Sequence, residues 1–134
     1  MVTTTAPKMI WPCLNYRDAH AAIDFLGDAF GFVATLVVDG GPARPVAHAE
    51  LAWPEGGRVM LGSASGEGNA FERLPTGAAS IYVVTDDPDG LYARATGAGA
   101  TVVQELNDAE YGSRGFTVRD LEGNLWSLGT YRGA

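Results

Sequence analysis

The chain has 134 residues, 46% of them hydrophobic, which is enough for one domain with a buried core and excludes a disordered or fibrous protein. A net charge of −7 with only nine basic residues argues against a nucleic-acid partner, because phosphate recognition needs clustered Lys and Arg, whereas an acidic balance suits simple solubility or a cationic small ligand. The single cysteine, Cys13, reads as a buried inert thiol; no apolar run approaches the roughly 20 residues of a membrane-spanning helix and the first eight residues lack a signal-peptide core, so a reduced, cytoplasmic setting is expected.

Residues 1–8 are small and polar and are expected to form a flexible arm. Residues 9–16 (MIWPCLNY) read as a first strand, with Pro12 placing it at an edge or a bulge. Asp18 is a good N-cap; Ala22, Phe25, Leu26, Ala29 and Phe30 then recur at helical spacing until Gly31 closes the helix. Residues 32–38 form a β-branched strand, and residues 45–53 and 58–63 form a hairpin around Pro54-Glu55-Gly56-Gly57. Residues 64–78 are a Gly- and Ser-rich linker that Phe71 and Leu74 are placed to pin down. The order then repeats. Residues 79–85 are a strand, Asp86 or Asp87 with Pro88 starts a helix, Gly97 and Gly99 end it, residues 101–106 are a strand, and residues 111–131 are a closing hairpin about Asp120-Leu121-Glu122-Gly123-Asn124.

The hairpins repeat in sequence as well as in type. Residues 53–63 fall on residues 120–130 at a constant offset of 67, with Glu55/Glu122, Gly56/Gly123, Leu61/Leu128 and Gly62/Gly129 identical. Two βαβββ modules, residues 9–63 and 79–131, therefore account for nearly the whole chain, and the expected class is α+β. Each module covers one sheet face with its helix and leaves the other open. Two open faces, brought together within one chain or between two chains, make a cavity.

Paired βαβββ modules, a first helix ending in AFGF and the closing run YGSRGFTVRDLEGNLWSLGTY resemble the vicinal oxygen chelate superfamily of glyoxalases, extradiol dioxygenases, fosfomycin resistance enzymes and bleomycin resistance proteins. The resemblance covers residues 9–131 and implies a cup-shaped mixed sheet with helices on its outer face. Catalytic members bind a divalent metal through four strand positions, which the resemblance carries onto Trp11, Glu50, Ser80 and Ser127. Only Glu50 is a credible ligand there, and His48, two residues away, faces the same way. That departure puts the metal-dependent activities in doubt, and no cofactor is expected.

The same strand faces still line a pocket. The family placement puts Trp11, His48, Glu50, Ser80, Tyr82 and Ser127 on cavity-facing parity, a set suited to stacking a planar or cationic compound and orienting it by hydrogen bonds. Glu50 needs a partner or a purpose in its strand, with Arg114 or Arg58 as candidate ion-pair partners. Arg114 itself is either structural or a bidentate site for a carboxylate or phosphate. Trp126 and Leu128 have the opposite parity to Ser127 and belong under a helix, while Asp120 and Glu122 read as turn formers. The resemblance to the bleomycin resistance branch implies a metal-free homodimer that sequesters an aromatic or cationic small molecule, such as an antibiotic. The alternative is a lyase, isomerase or dioxygenase with a minimal metal site at His48 and Glu50, or with Glu50 as general base.

Overall fold

Two four-stranded mixed sheets, each backed by one helix, make up the computed structural model, which describes residues 10–134. The first contains β1 (Cys13–Tyr16), β2 (Val33–Val38), β3 (His48–Ala52) and β4 (Arg58–Ser63) in the order β1-β4-β3-β2, with α1 at Ala19–Phe30. The second contains β5 (Ser80–Val84), β6 (Thr101–Asp108), β7 (Arg114–Arg119) and β8 (Leu125–Gly129) in the order β5-β8-β7-β6, with α2 at Pro88–Gly97. β1 and β5 are parallel to their neighbours β4 and β8, and every other pairing is antiparallel. The duplication expected from the hairpins is thus a duplication of topology. The arm over residues 1–8 and the Met9 start of the first strand lie outside the described residues.

Local chemistry sets the ends of the elements. Asp18 caps α1 by accepting from the Ala21 amide at 3.1 Å, and Gly31 ends it with φ of 94°, a left-handed conformation that glycine adopts without steric cost. Asp87 rather than Asp86 caps α2, accepting from the Gly90 amide at 3.0 Å, with Pro88 at the first helical position. β1 begins only after Pro12 and is an edge strand, as a proline without an N–H requires. The linker differs from expectation. The Phe71 and Leu74 side chains are exposed, and the segment is tied by polar contacts instead: Asn15 to the Phe71 carbonyl, Arg17 to Thr76 at 3.2 Å, and Arg44 to Glu72.

The helix-covered faces of the two sheets share one core. α1 packs against α2, and Trp126 of β8, fully buried, lies 5.4 Å from Phe30 and 5.6 Å from Phe32 between ring centroids. Asp120, 6% exposed, sits beside this aromatic group and is saturated with donors. Its Oδ2 accepts from the Tyr16 hydroxyl at 2.6 Å, Trp126 Nε1 at 3.0 Å and Asn124 Nδ2 at 3.1 Å; its Oδ1 accepts from the Glu122 and Asn124 amides at 3.0 and 3.1 Å. Burial, and then the neighbouring Asp120 carboxylate, push the Tyr16 phenol far above its ordinary range, so it remains a donor.

Two further contacts hold α1 at its ends from the second module. Glu122 accepts from the Arg17 and Asp18 amides at 2.6 and 2.8 Å, and Arg94 of α2 donates to the Asp28 and Gly27 carbonyls at 2.7 and 2.8 Å. An anion at the N-terminus and a cation at the C-terminus both complement the helix dipole. The turn-forming role expected of Asp120 and Glu122 is therefore present, and the same carboxylates also join the two modules.

Replacing Asp120 by Ala strands three buried side-chain donors and is expected to lower stability by about 3 kcal/mol or more, whereas Tyr16→Phe, which leaves the other donors in place, costs about 1 kcal/mol. Urea unfolding of both variants checks this ranking. A loss below about 1 kcal/mol for Asp120→Ala contradicts it.

Candidate binding site on the open sheet faces

Because the helix-covered faces are used against each other, both open faces point away from the shared core. Strand register defines what each presents. On the first sheet the cross-strand row is Cys13, Met60, Glu50 and Leu36; on the second, the repeat-related row is Tyr82, Ser127, Thr117 and Gln104. Cys13 is exposed, a correction to the buried thiol expected from sequence. Alternation explains it: Leu14 and Tyr16 take the two core-facing positions of β1 and leave Cys13 on the open side.

The second face carries a cavity of about 350 Å3 lined by second-module residues alone. It brings together Tyr82, Arg114 and Ser127 of the sequence-predicted set, and adds Thr117, Tyr111 and Tyr131. Gly115 and Gly129 form a flat part of its floor: a Cβ on Gly129 would meet the Tyr82 hydroxyl at 3.2 Å and the Arg114 carbonyl at 3.0 Å. Tyr82 donates its hydroxyl to the Tyr131 carbonyl at 2.8 Å, and desolvation raises its pKa. The Tyr131 ring meets Tyr111 edge to face with centroids 5.6 Å apart. These three rings are 47%, 45% and 73% exposed for Tyr82, Tyr131 and Tyr111, an aromatic wall open to solvent. Ser127 and Thr117 share a hydroxyl–hydroxyl bond of 2.8 Å.

Arg114 at the rim is held by carboxylates. It pairs with Asp89 through Nε and Nη2 at 2.9 and 3.2 Å and with Asp108 through Nη1 at 3.1 Å. The hydrogen bonds that Arg114 donates to Asp89 and Asp108 raise its pKa, and the guanidinium holds the Asp89 carboxyl below its ordinary range.

Trp11, His48 and Glu50 lie in the first module, outside that cavity. His48 Nε2 and Glu50 Oε2 are 2.8 Å apart, so the partner of Glu50 is its own strand neighbour and neither of the arginines considered from sequence. Arg58 instead lies over the Trp11 ring at 5.6 Å and donates to Thr35 at 3.0 Å. Ser80 is exposed on the second sheet, two residues from Tyr82 and outside the cavity lining.

The divalent metal implied by the resemblance does not fit these donors. Among the described residues no three His, Cys, Asp or Glu side chains converge, His48 and Glu50 satisfy each other, and Trp11, Ser80 and Ser127 offer an indole and two hydroxyls. No helix among the described residues is long and apolar enough to cross a membrane.

The family model of the Glyoxalase/Bleomycin resistance protein/Dioxygenase superfamily matches residues 8–128. The chain belongs to this superfamily. Curated relatives of the chain include uncharacterised proteins of Mycobacterium bovis and Mycobacterium tuberculosis, each 37% identical over 123 residues, covering 88% of this chain and 80% and 71% of the respective relatives. Among solved structures, TioX from Micromonospora sp. ML1 is 32% identical with a TM-score of 0.74, covering 92% of this chain and 98% of TioX. A glyoxalase/bleomycin resistance protein/dioxygenase from Nocardioides has a TM-score of 0.68 at 20% identity, covering 99% of this chain and 89% of its own, and shares the fold.

The pairing of Arg114 with Asp89 sets a pH dependence. A carboxyl depressed in the folded state contributes stability at pH values above its unfolded pKa, and that contribution disappears as pH falls through the folded value. NMR titration of Asp89 is expected to give a pKa below the ordinary carboxylate range, returning to it in Arg114→Gln. An unchanged Asp89 pKa in that variant contradicts the pairing.

Proposed function

We propose that the protein binds a small, flat aromatic or cationic compound, an antibiotic of that chemistry included, and sequesters it without covalent change and without a metal. The observation that carries this reading is the second-sheet cavity, which combines three tyrosine rings with the Ser127 and Thr117 hydroxyls and no converging metal donors. Rings offer stacking surface and a cation-attracting face, and the hydroxyls orient a polar substituent. Membership of a superfamily that includes bleomycin resistance proteins supports the same class.

The site is completed by a second copy of the chain. Each open sheet face of a single chain is half a cup, and the exposed Leu36 and Val38 of β2, which flank Glu50 and His48 in register, extend the first face with apolar surface. In a homodimer that sets the first sheet of one chain over the second sheet of the other, Trp11, His48 and Glu50 stand opposite Tyr82, Arg114 and Ser127.

The His48–Glu50 pair favours a second reading. A histidine within 2.8 Å of a carboxylate on an open sheet face is suited to general-base work on a carbonyl compound. Turnover of a hemithioacetal or a catechol that is lost in Glu50→Gln selects that reading.

Elemental analysis of the purified protein is expected to find no stoichiometric Zn, Ni, Mn or Fe, and flat cationic dyes such as 9-aminoacridine are expected to raise the melting temperature by about 5 °C or more at a hundredfold excess over Kd. About one metal ion per chain, lost in Glu50→Gln, overturns the proposal.

A further inference from the structure

The geometry points to a charge filter at the second-sheet cavity: Asp89 and Asp108 occupy Arg114 so that the site takes neutral or cationic flat aromatic compounds and rejects carboxylates and phosphates. This rests on reading that cavity as the ligand site.

Arg114 is the one formally charged side chain among the residues lining the cavity. Alone, its planar guanidinium would make the site a bidentate receptor for anions. All three guanidinium nitrogens instead donate to carboxylates: Nε and Nη2 to Asp89 and Nη1 to Asp108. An incoming anion has to displace acceptors tethered to the same chain, whose effective concentration is in the millimolar range or above. Two carboxylates against one guanidinium also leave the rim net negative. The surrounding segment reinforces that sign, since residues 105–114 add Glu105 and Glu110 and no lysine.

The ion pairs are exposed, and pairs of that kind contribute little to stability. Their effect here is on ligand charge. A rim with surplus carboxylate attracts a cation and repels an anion, and the electron-rich faces of Tyr82, Tyr111 and Tyr131 act in the same direction. α2 makes the arrangement possible: Asp89 lies in its first turn, where the helix dipole also favours a negative charge.

Three three-ring probes of one shape separate the effects at neutral pH: 9-aminoacridine as cation, acridine as neutral reference and acridine-9-carboxylate as anion. Isothermal titration of the full chain is expected to show the anion binding at least about tenfold more weakly than the cation. In Asp89→Asn/Asp108→Asn the ratio is expected to fall about tenfold or more as Arg114 becomes available to the carboxylate. Asp108→Asn alone, at the exposed end of β6, serves if the double variant unfolds. Equal binding of cation and anion by the unaltered protein, or an unchanged ratio in the variants, overturns the filter alone. Failure of all three probes to bind overturns the filter together with the reading of the cavity as a ligand site.

Discussion

A buried carboxylate at Asp120 is the constraint from which the arrangement of the two modules follows. An anion removed from water carries a large desolvation cost unless its oxygens are hydrogen-bonded, and five donors surround this one. Two are amides of its own turn, two are the side chains of Asn124 and Trp126, and the fifth is the hydroxyl of Tyr16 at the end of the other module's first strand. The carboxylate can be satisfied in full only when β1 reaches the β7–β8 turn. Glu122, from the same turn, then meets the amides at the start of α1, while Arg94 meets the carbonyls at its end. The first helix is thus clamped at both ends by residues of the second module, each of the sign its dipole favours.

That clamp has a functional consequence. With the helices and their sheet faces used to build one core, neither open face can fold back onto the other, and the single chain presents two open faces of different chemistry. Duplication supplies the shared geometry, and divergence at equivalent positions supplies the difference. Where the first sheet carries Met60 and Glu50, the second carries Ser127 and Thr117, which bond to each other. The first face offers an acid–imidazole pair and an indole under a guanidinium; the second offers an aromatic wall and an arginine paired with two carboxylates. In the proposed reading, both faces serve the recognition of a flat ligand.

Features carried by neighbours in sequence were legible before the structure. Asp18 and Gly31 bracket α1 because a cap acts within one turn, the hairpin turns follow from Glu-Gly pairs at equivalent places, and strand parity separates buried Trp126 and Leu128 from half-buried Ser127. The same parity rule places His48 and Glu50 side by side. Interactions across the chain were not legible. Nothing in the local sequence joins Tyr16 to Asp120, 104 residues apart, or Arg114 to Asp89, 25 residues away. Tyr111 and Tyr131 were missed because they lie outside the strands, where residue alternation carries no information about facing; the signal that could have found them was the tyrosine at each end of the closing hairpin. Cys13 was misplaced because a single short edge strand gives a parity pattern only once its core-facing members are known.

The claim that two chains build each binding site is open to direct test in a purified mixed dimer. One chain carries Glu50→Arg, which disables the first-sheet half, and the other carries Ser127→Trp, which fills the second-sheet cavity. Neither homodimer retains an intact pair of halves, whereas the mixed dimer regains one, formed by the unaltered first sheet of one chain and the unaltered second sheet of the other. Titration with 9-aminoacridine should therefore show no high-affinity site in either variant homodimer and one per mixed dimer. A protein that is monomeric in solution, or a mixed dimer that binds no dye while the unaltered protein does, contradicts the account.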